Sequence, residues 1–428
     1  MIDATLDKIN KIVPLKWRWI LEHGGFRKYF KNTGWMFFGQ MFSLLVSFFI
    51  GAWIARYLGP ENYGLVSYVV AFVGLFSFIS SLGIDFILNR ELIRHPENRD
   101  ELLGTGFRLK LFGGTIAFAI SVFFSLFFNN DNLTRALLVI FSLSFILQAP
   151  LVINIFFQSQ VRAKENFKAQ LGGSVISSIL KIILILSGGG VIWLIIIYTA
   201  ESIWQSIFLY RAYQSLKLKI VTWHFNKILA SSILKDSWPL MLSSAATFIY
   251  LRIDQVMIGA LMGKEAVGIY AAGVKITEIF YFVPGVIGAS LFPAIVNAKK
   301  ISQHLYERRL MFFYGFLFLL SLFIVVPVAL LSQPIIYFLF GSQYLESVSI
   351  LRIYIWSSTG LFVSSGLTYY FMAENKTKTI FKMYFLAMLS NVILNLLLIP
   401  KYGLIGAAWA TLVAYSVPLI WLYKIKKI

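Results

Sequence analysis

The sequence contains no cysteine, and it has only four histidines. The absence of cysteine excludes disulfide bonds, thiolate metal sites and a cysteine nucleophile. The histidines are scattered without the spacing that binds a metal ion, so no metal centre is predicted. They are His23, His95, His224 and His304. No G-x-x-x-x-G-K-[ST] motif is present either, so ATP hydrolysis within this chain is not expected.

Charged residues are also scarce. They make up 13% of the 428 residues, against about a quarter in soluble domains. Hydrophobic residues make up 58%, and the mean hydropathy is +0.76. This composition predicts an all-α polytopic membrane protein. Acidic residues are the rarer charged type, 19 against 38 Lys and Arg, which gives a net charge of +19. In a membrane protein such an excess can come from cytoplasmic loops, which are rich in Lys and Arg, and so does not by itself indicate nucleic-acid binding.

Twelve apolar stretches approach the length of about 20 residues that a helix needs to cross the hydrocarbon core. They lie at residues 35–55, 64–84, 109–128, 136–157, 168–187, 191–210, 238–261, 267–296, 310–331, 347–372, 378–399 and 403–423. With the N-terminus in the cytoplasm, 30 of the 38 Lys and Arg fall in cytoplasmic segments and 4 in outer loops. This asymmetry predicts that both termini are cytoplasmic, and it explains the positive charge without nucleic acid.

The twelve stretches form two similar sets of six. "LGPENYGLVSY" (residues 58–68) follows the first stretch, and "MGKEAVGIYAA" (residues 262–272) follows the seventh. Both contain G-x-E-x-x-G, at an offset of 204 residues, which indicates a duplicated six-helix unit. We therefore predict two pseudo-symmetric bundles with a cleft between them for a cargo. The predicted parts are a basic N-terminal segment (1–34), an N-terminal bundle (35–210), a cytoplasmic linker (211–237) and a C-terminal bundle (238–428).

Several charged residues fall inside the predicted spans, where each costs about 2.5–3.5 kcal/mol unless it has a partner or lies in a water-filled cavity. They are Lys181, Glu201, Arg252, Asp254, Lys275, Glu278 and Arg352. Lys181 and Glu201 flank a tight turn at residues 187–190 and are predicted to form an ion pair, with cargo binding as the alternative. Arg352 is predicted to extend to the outer interface.

The seventh and eighth spans are predicted to form an antiparallel hairpin about residues 264–265. At about 1.5 Å per residue, Asp254 then lies level with Lys275. Arg252 and Glu278 form a second level pair, and two ion pairs would simply lock the hairpin.

An alternative role for Arg252 follows from helix geometry. Residues two apart point about 200° from each other, so Arg252 and Asp254 are not expected to face the eighth span together. If Asp254 pairs with Lys275, Arg252 is left to line the central cavity as an anion-binding residue. A planar guanidinium is suited to phosphate oxygens.

After the second span, "GIDFILNRELIRHPENRDELLG" places Asp85, Arg90 and Arg94 at helical spacing. This pattern predicts an amphipathic helix on the membrane surface, whose cations attract anionic lipid headgroups. The three residues are therefore candidates for a cytoplasmic entrance that contacts a headgroup. Structural anchoring is the alternative.

Two long segments carry a family resemblance: "ARYLGPENYGLVSYVVAFVGLFSFISSLGIDFILNREL" and "YLRIDQVMIGALMGKEAVGIYAAGVKI". They are similar to bacterial polysaccharide flippases, the Wzx-type translocases of O-antigen and capsule repeat units. These belong to the multidrug, oligosaccharidyl-lipid and polysaccharide exporter (MOP) superfamily. The resemblance covers essentially the whole chain, and the "RID" containing Arg252 and Asp254 matches the family pattern.

The resemblance implies a MATE-like fold, with two six-helix bundles in a V around a cationic cavity that works by alternating access. It implies translocation of a polyprenyl pyrophosphate-linked oligosaccharide across the bacterial inner membrane for surface polysaccharide assembly. The expected partners are that cargo, membrane lipids and the polysaccharide polymerase machinery. No cofactor is expected, and coupling to a proton or sodium gradient is left open.

Two other functions would require different charged residues or loops from those in this sequence. A multidrug cation antiporter of the same superfamily would need acidic residues to dominate the cavity, whereas the embedded charges here are four basic and three acidic. A membrane enzyme acting on lipid-linked sugars would need a sizeable outer loop or a cluster of carboxylates. The longest predicted outer loop, residues 332–346, has 15 residues and one acidic group, so a catalytic function is not expected.

Overall fold

The computed structural model describes residues 24–128, 131–374 and 376–422, which are almost entirely helical. The α-helices are α1 (Gly24–Gly74), α2 (Ser77–Ser81), α3 (Ile84–Arg94), α4 (Arg99–Phe128), α5 (Asn132–Ser142), α6 (Ser144–Leu147), α7 (Val152–Ser159), α8 (Ala163–Leu186), α9 (Val191–Gln214), α10 (Lys227–Leu261), α11 (Lys264–Glu278), α12 (Val283–Lys299), α13 (Gln303–Leu330), α14 (Ser332–Phe340), α15 (Ser347–Tyr354), α16 (Ser357–Ala373) and α17 (Thr377–Ser416). Within the described chain, eight helical stretches are long and apolar enough to cross a membrane. The first 23 residues of the predicted basic segment and the basic residues after residue 422 lie outside the described residues.

Two of the long helices are broken at a glycine. α1 breaks at Gly59 (φ 74°) and α17 at Gly403 (φ 57°), both in the left-handed region that favours glycine. Pro60 and Pro400 lie close to these breaks and each removes a backbone hydrogen-bond donor. All twelve predicted apolar stretches lie mainly on helical parts of the chain, which confirms the predicted all-α membrane fold.

Each half of the chain has its own apolar core. In the N-terminal half (residues 24–214), the core includes Leu88, Phe157 and Tyr213, all fully buried, and Ala230 and Ile233 from the start of α10 also pack in it. In the C-terminal half (residues 227–422), a separate core includes Leu317 and Phe362. Such cores hold each half together as a unit, so the boundary between the halves is the place where a cavity can form.

The two halves also share a core. α1 packs along α11, and this shared core combines Val69 and Leu194 with Ile258, Tyr270 and Ile350. All five side chains are at most 2% exposed. The structure therefore joins the halves through α1 and the α10–α11 hairpin, which carry the duplicated motifs.

The last glycines of the two G-x-E-x-x-G motifs meet at this interface. A Cβ atom added to Gly64 would lie 2.7 Å from the backbone nitrogen of Gly268, and one added to Gly268 would lie 3.0 Å from that of Gly64. The same atoms would overlap the carbonyl oxygens of Lys264 and Pro60 respectively. Pro60 and Lys264 are also 204 residues apart, so the contact is pseudo-symmetric. Small residues allow helices in membranes to approach this closely.

The predicted outer loop at residues 332–346 is helical, so the loop prediction was wrong. It forms α14 and a 3₁₀ turn, and its apolar residues Ile336, Phe340 and Tyr344 are fully buried in a core shared with α1. The Tyr344 hydroxyl donates a 2.8 Å hydrogen bond to the Ala55 carbonyl oxygen. Burial of these side chains is what orders the segment.

α3, the predicted membrane-surface helix, buries one apolar face in the protein. On that face, Ile84, Ile87, Leu88 and Leu92 are at most 4% exposed and pack chiefly against α7 and α10. The apolar Phe86 and Ile93 of the same helix are 63% and 59% exposed, so its role at a membrane surface stays a prediction. α10 itself begins at Lys227, inside the predicted linker, and its first turns contact the N-terminal half.

Candidate functional site

A cavity of about 300 Å³ lies between the two halves. Side chains from both halves line it, including Ser47, Tyr63, Tyr198 and Glu201 from the N-terminal half and Arg252, Lys275 and Glu278 from the C-terminal half. Of the six residues predicted to line a cavity, the structure brings four together here: Glu201, Arg252, Lys275 and Glu278. Lys181 lies behind Glu201, and Asp254 faces elsewhere.

The predicted ion pair between Asp254 and Lys275 does not form. The turn between α10 and α11 is at Gly263 (φ 91°), where glycine is favoured, and not at residues 264–265. Because the turn comes earlier, Asp254 lies beside Tyr270, and Lys275 lies more than a helical turn farther along α11. The prediction was wrong because an earlier turn shifts Asp254 along α11 by more than the few ångströms that an ion pair allows.

Asp254 is a buried carboxylate with two hydrogen-bond donors. It is 2% exposed, and it accepts a 2.7 Å hydrogen bond from the Tyr270 hydroxyl and a 2.8 Å bond from the Gln255 backbone N–H. A buried carboxylate depends on such donors to offset the loss of hydration. This residue therefore holds the α10–α11 hairpin together and does not line the cavity.

The hydroxyl of Tyr270 should contribute measurably to stability. Tyr270→Phe leaves the buried Asp254 with only its backbone donor, and a hydrogen bond to a charged group is worth about 1.5–3 kcal/mol. We expect a lower thermal midpoint in detergent, followed by a fluorescence or scanning calorimetry assay. Tyr281→Phe is the matched control, because its hydroxyl donates to another neutral hydroxyl, that of Tyr354, at 3.3 Å. Equal midpoints for the two variants would contradict this role.

The second predicted pair of the hairpin, Arg252 with Glu278, is confirmed, with Nη1 and Oε1 2.9 Å apart. The two side chains are 32% and 21% exposed, so both remain accessible from the cavity. Arg252 and Asp254 therefore both contact α11, contrary to the expectation from helix geometry. Arginine is long enough to extend around α10 towards a carboxylate that lies deeper in the hairpin.

The predicted ion pair between Lys181 and Glu201 is confirmed, with Nζ and Oε2 3.2 Å apart. The Ser177 hydroxyl donates to the same carboxylate at 3.0 Å. The Lys181 ammonium also lies 4.3 Å from the centre of the Tyr198 ring, in a cation–π contact. These contacts orient the Glu201 carboxylate at the cavity wall, although its role towards a cargo stays a prediction.

Lys275 is the cavity cation for which the described part of the chain shows no ion pair. Among the residues that the structure describes, no carboxylate oxygen lies within 4.0 Å of its ammonium nitrogen. Its side chain passes Gly51 of α1, where an added Cβ would lie 3.7 Å from the lysine Cε. The cluster has one more cation than carboxylate: Lys181, Arg252 and Lys275 against Glu201 and Glu278. A positive excess of this kind favours an anionic ligand.

A second cavity, of about 360 Å³, adjoins the first. Arg252 lines both, and the second also contains Asp85 and Lys110, which form an ion pair at 2.6 Å. Several hydroxyls complete its polar lining, among them Ser77 and Ser144. Arg252 is thus the charged residue common to a continuous polar region between the halves.

Arg90 and Arg94, the other predicted entrance residues, do not line either cavity. Arg90 pairs with Asp236 and with Glu91, each at 2.7 Å, and Arg94 lies 3.9 Å from Glu91. The hydrogen bond from Arg90 to Asp236 raises the pKa of this guanidinium, with Glu91 adding to the effect. Arg90 therefore connects α3 to α10, and of the three predicted residues Asp85 alone borders one of these two cavities.

Sequence reasoning missed several residues of the site. Lys110 was assigned to a cytoplasmic segment, and Tyr63 and Tyr198 could not be distinguished from the many aromatic residues of the spans. The glycine pair Gly64 and Gly268 did have a signal, because both end the duplicated motif. Matching positions in a repeat are the positions that a pseudo-two-fold axis brings together.

Comparisons with known proteins agree with this arrangement. Residues 29–299 match the family described as "Polysaccharide biosynthesis protein", and residues 239–397 match the MatE family. The chain is similar to a candidate O-antigen transporter of Shigella flexneri, with 25% identity over 92% of this chain and 97% of the relative. It is also 25% identical to the capsular polysaccharide biosynthesis protein CapF of Staphylococcus aureus, over 93% of this chain and 99% of the relative.

Solved structures with the same fold are also membrane transporters. The lipid II flippase MurJ, in an inward closed conformation, superposes with a TM-score of 0.72 at 20% identity, covering 92% of this chain and 87% of MurJ. An inward-facing MATE family multidrug resistance transporter of the MOP superfamily gives 0.71 at 16% identity, covering 90% and 95%. These likenesses show a MATE-like fold. Because the family match spans more than half of the sequence, the chain belongs to the polysaccharide biosynthesis protein family of the MOP superfamily.

Proposed function

We propose that the protein is a flippase that moves a polyprenyl pyrophosphate-linked oligosaccharide from the cytoplasmic to the outer leaflet of the bacterial inner membrane. The observation that carries the proposal is the cavity between the halves, where Lys275 has no carboxylate partner among the described residues. A diphosphate carries negative charge on both phosphates, which makes its passage through hydrocarbon prohibitively costly. A polar cavity with an unmatched cation reduces that cost.

Two cations are placed to bind the diphosphate in different ways. Lys275 supplies a point charge that forms no ion pair with a carboxylate of the described residues, so it can contact a phosphate oxygen directly. Arg252 is paired with Glu278 and would exchange this carboxylate for a phosphate when the cargo enters. The exchange keeps the guanidinium paired, and the released Glu278 carboxylate is then left to water or to a proton within the cavity.

The sugar part of the cargo needs hydrogen bonds and stacking surfaces. Tyr63 and Tyr198 line the cavity from the N-terminal half, and Ser47 adds a hydroxyl. Aromatic rings with a polar tip can contact a sugar face and also donate a hydrogen bond. These three side chains are less specific than the cations, and we propose them as sugar contacts on that basis.

The direction of entry follows from the proposed topology. The distribution of Lys and Arg places the motif end of the protein, with Gly59 and Gly263, on the outer side. The cavity with Asp85 and Lys110 then lies towards the cytoplasm. A headgroup would enter there, pass Arg252 and leave when the contact between the motif glycines opens.

A multidrug cation antiporter is the competing proposal within the superfamily. It requires a site where carboxylates predominate, whereas the cluster between the halves has one more cation than carboxylate. A cationic drug would meet like charge at Lys275, which is costly in a cavity of low dielectric constant. The charge balance therefore favours the anionic cargo.

Lipids that co-purify with the protein provide the direct test. We expect mass spectrometry of the organic extract to detect a polyprenyl pyrophosphate glycan. In proteoliposomes, a fluorescent polyprenyl pyrophosphate sugar should become protected from a membrane-impermeant quencher, and gradients of protons or sodium applied in turn would identify the coupling ion. Active extrusion of lipophilic cations, without protection of the labelled lipid, would instead establish the antiporter.

A further inference from the structure

A groove on the flank of the C-terminal half is separate from the cavity between the halves. It has a volume of about 490 Å³ and lies between α15–α16 and the part of the chain that follows the break of α17 at Gly403. It is lined by Arg352, Ile353, Trp356, Thr359 and Gly360 on one side and by Trp409, Leu412, Ser416 and Leu419 on the other. None of these residues lines the central cavity.

Arg352 points away from the interface between the halves. Ile350 and Tyr354, two residues to either side of it, are 1% exposed and belong to the shared core. Residues two apart on a helix point about 200° from each other, so Arg352 faces the opposite side of α15. The groove therefore faces the surroundings of the bundle, which are lipid for a membrane-spanning helix.

The guanidinium of Arg352 is incompletely satisfied. Its Nε donates a 2.9 Å hydrogen bond to the Ser332 hydroxyl, and among the described residues no carboxylate oxygen lies within 4.0 Å of it. An arginine without a counter-ion in a membrane protein requires an anion or water. Arg352 lies five residues after the start of α15, about 7.5 Å along the helix, so it remains near the end of the span.

Below Arg352 the groove is apolar. Trp356 and Trp409 are 40% and 48% exposed on its two walls, and Leu419 lies at its far end. At Gly360 the helices come together, since an added Cβ would lie 2.8 Å from the Tyr415 carbonyl carbon. From Arg352 to Gly360 the groove follows α15 and α16 for about 12 Å, close to the roughly 15 Å thickness of one hydrocarbon leaflet.

We propose that this groove binds an anionic phospholipid of the surrounding bilayer, with its phosphate on Arg352 and one acyl chain between Trp356 and Trp409. The charge at one end, the apolar walls and the length together match such a lipid. This lipid site differs from the proposed cargo site because it lies on the flank of the C-terminal half and faces the bilayer directly. The proposal does not depend on the proposed flippase activity, because it concerns a lipid that stays in its own leaflet.

Lipid retention tests the headgroup contact. We expect native mass spectrometry of the full chain to show phosphatidylglycerol bound to the wild type, and about ten-fold weaker retention for Arg352→Ala, as expected when a charge-assisted hydrogen bond is lost. Lys401→Ala is the matched control, because Lys401 is an exposed cation of the same half that does not line the groove. Equal retention by all three proteins would overturn the proposal.

Brominated lipids test the acyl-chain contact independently of protein yield. Phosphatidylglycerol with bromine on its acyl chain should quench tryptophan fluorescence in nanodiscs more strongly than brominated phosphatidylcholine does. The double variant Trp356→Phe with Trp409→Phe should lose this difference, since the remaining tryptophans report only on general lipid contact. If the difference persists in the double variant, the acyl chain does not occupy the groove.

Discussion

Replacing Gly268 with alanine should hold the motif end of the protein open and reduce flipping by about ten-fold or more. The added Cβ would overlap the Pro60 carbonyl oxygen and lie 3.0 Å from the Gly64 nitrogen. Both atoms belong to the backbone of α1, so no side-chain rotation relieves the contact. Overpacking of this kind costs about 1–3 kcal/mol, and about 1.4 kcal/mol changes a population ratio tenfold.

The absence of cysteine makes this effect directly measurable. Ser47→Cys places a single thiol on the cavity wall, and a membrane-impermeant maleimide added from the outer side reports whether the cavity is open. We expect slow labelling in the parent protein and at least several-fold faster labelling when Gly268→Ala is added. Gly64→Ala should have the same effect, because the contact is pseudo-symmetric.

Gly315→Ala is the matched control for these variants. A Cβ at Gly315 meets no atom within 4 Å, so the same chemical change should leave both labelling and flipping unaltered. The prediction fails if Gly268→Ala and Gly315→Ala label at the same rate. A folded protein with unchanged labelling would show that the two helices accommodate the added methyl group without opening the cavity, and the glycine contact would then be only a packing feature.

The second large effect concerns the charges of the central cavity. Lys275→Gln should weaken binding of polyprenyl pyrophosphate by about 10- to 100-fold, because it removes the one cavity cation that no described carboxylate neutralises. A hydrogen bond between charged groups contributes about 1.5–3 kcal/mol, which corresponds to this range. Binding can be measured by titration of the purified protein with the lipid in detergent.

Glu278→Gln should have the opposite effect and tighten binding. The substitution keeps the size of the side chain but removes the carboxylate that pairs with Arg252 at 2.9 Å. The guanidinium is then released for the phosphate, and the net charge of the cavity rises. Opposite signs at Lys275 and Glu278 distinguish a binding role from simple loss of structure, since both substitutions disturb buried polar contacts.

Lys235→Gln provides the control for overall charge, because Lys235 is exposed near the start of α10 and lines neither cavity. Its affinity for the lipid should equal that of the wild type. If Lys275→Gln also binds with wild-type affinity, the cavity does not recognise the diphosphate through this residue.

Much of the fold could be predicted because it depends on local features of the chain. Runs of about 20 apolar residues leave few options other than helices, because unpaired backbone groups are too costly in hydrocarbon. The Lys181–Glu201 pair was also predictable, since a tight turn at residues 187–190 brings consecutive spans side by side. The loop predicted at residues 332–346 failed for the converse reason, as its helical structure depends on burial against the distant α1.

The sequence by itself determined the class of the protein, its helical spans and the duplication of its two halves, because hydropathy and repeat spacing do not depend on packing. Only the tertiary structure decided the partner of Asp254, and with it that Lys275 has no ion pair among the described residues. Because the glycine turn comes two residues earlier than predicted, Asp254 lies beside Tyr270. The side chain of Arg252 is long enough to reach Glu278. Ion pairs require atoms within a few ångströms, and that distance is smaller than the shift produced by a two-residue error in a turn.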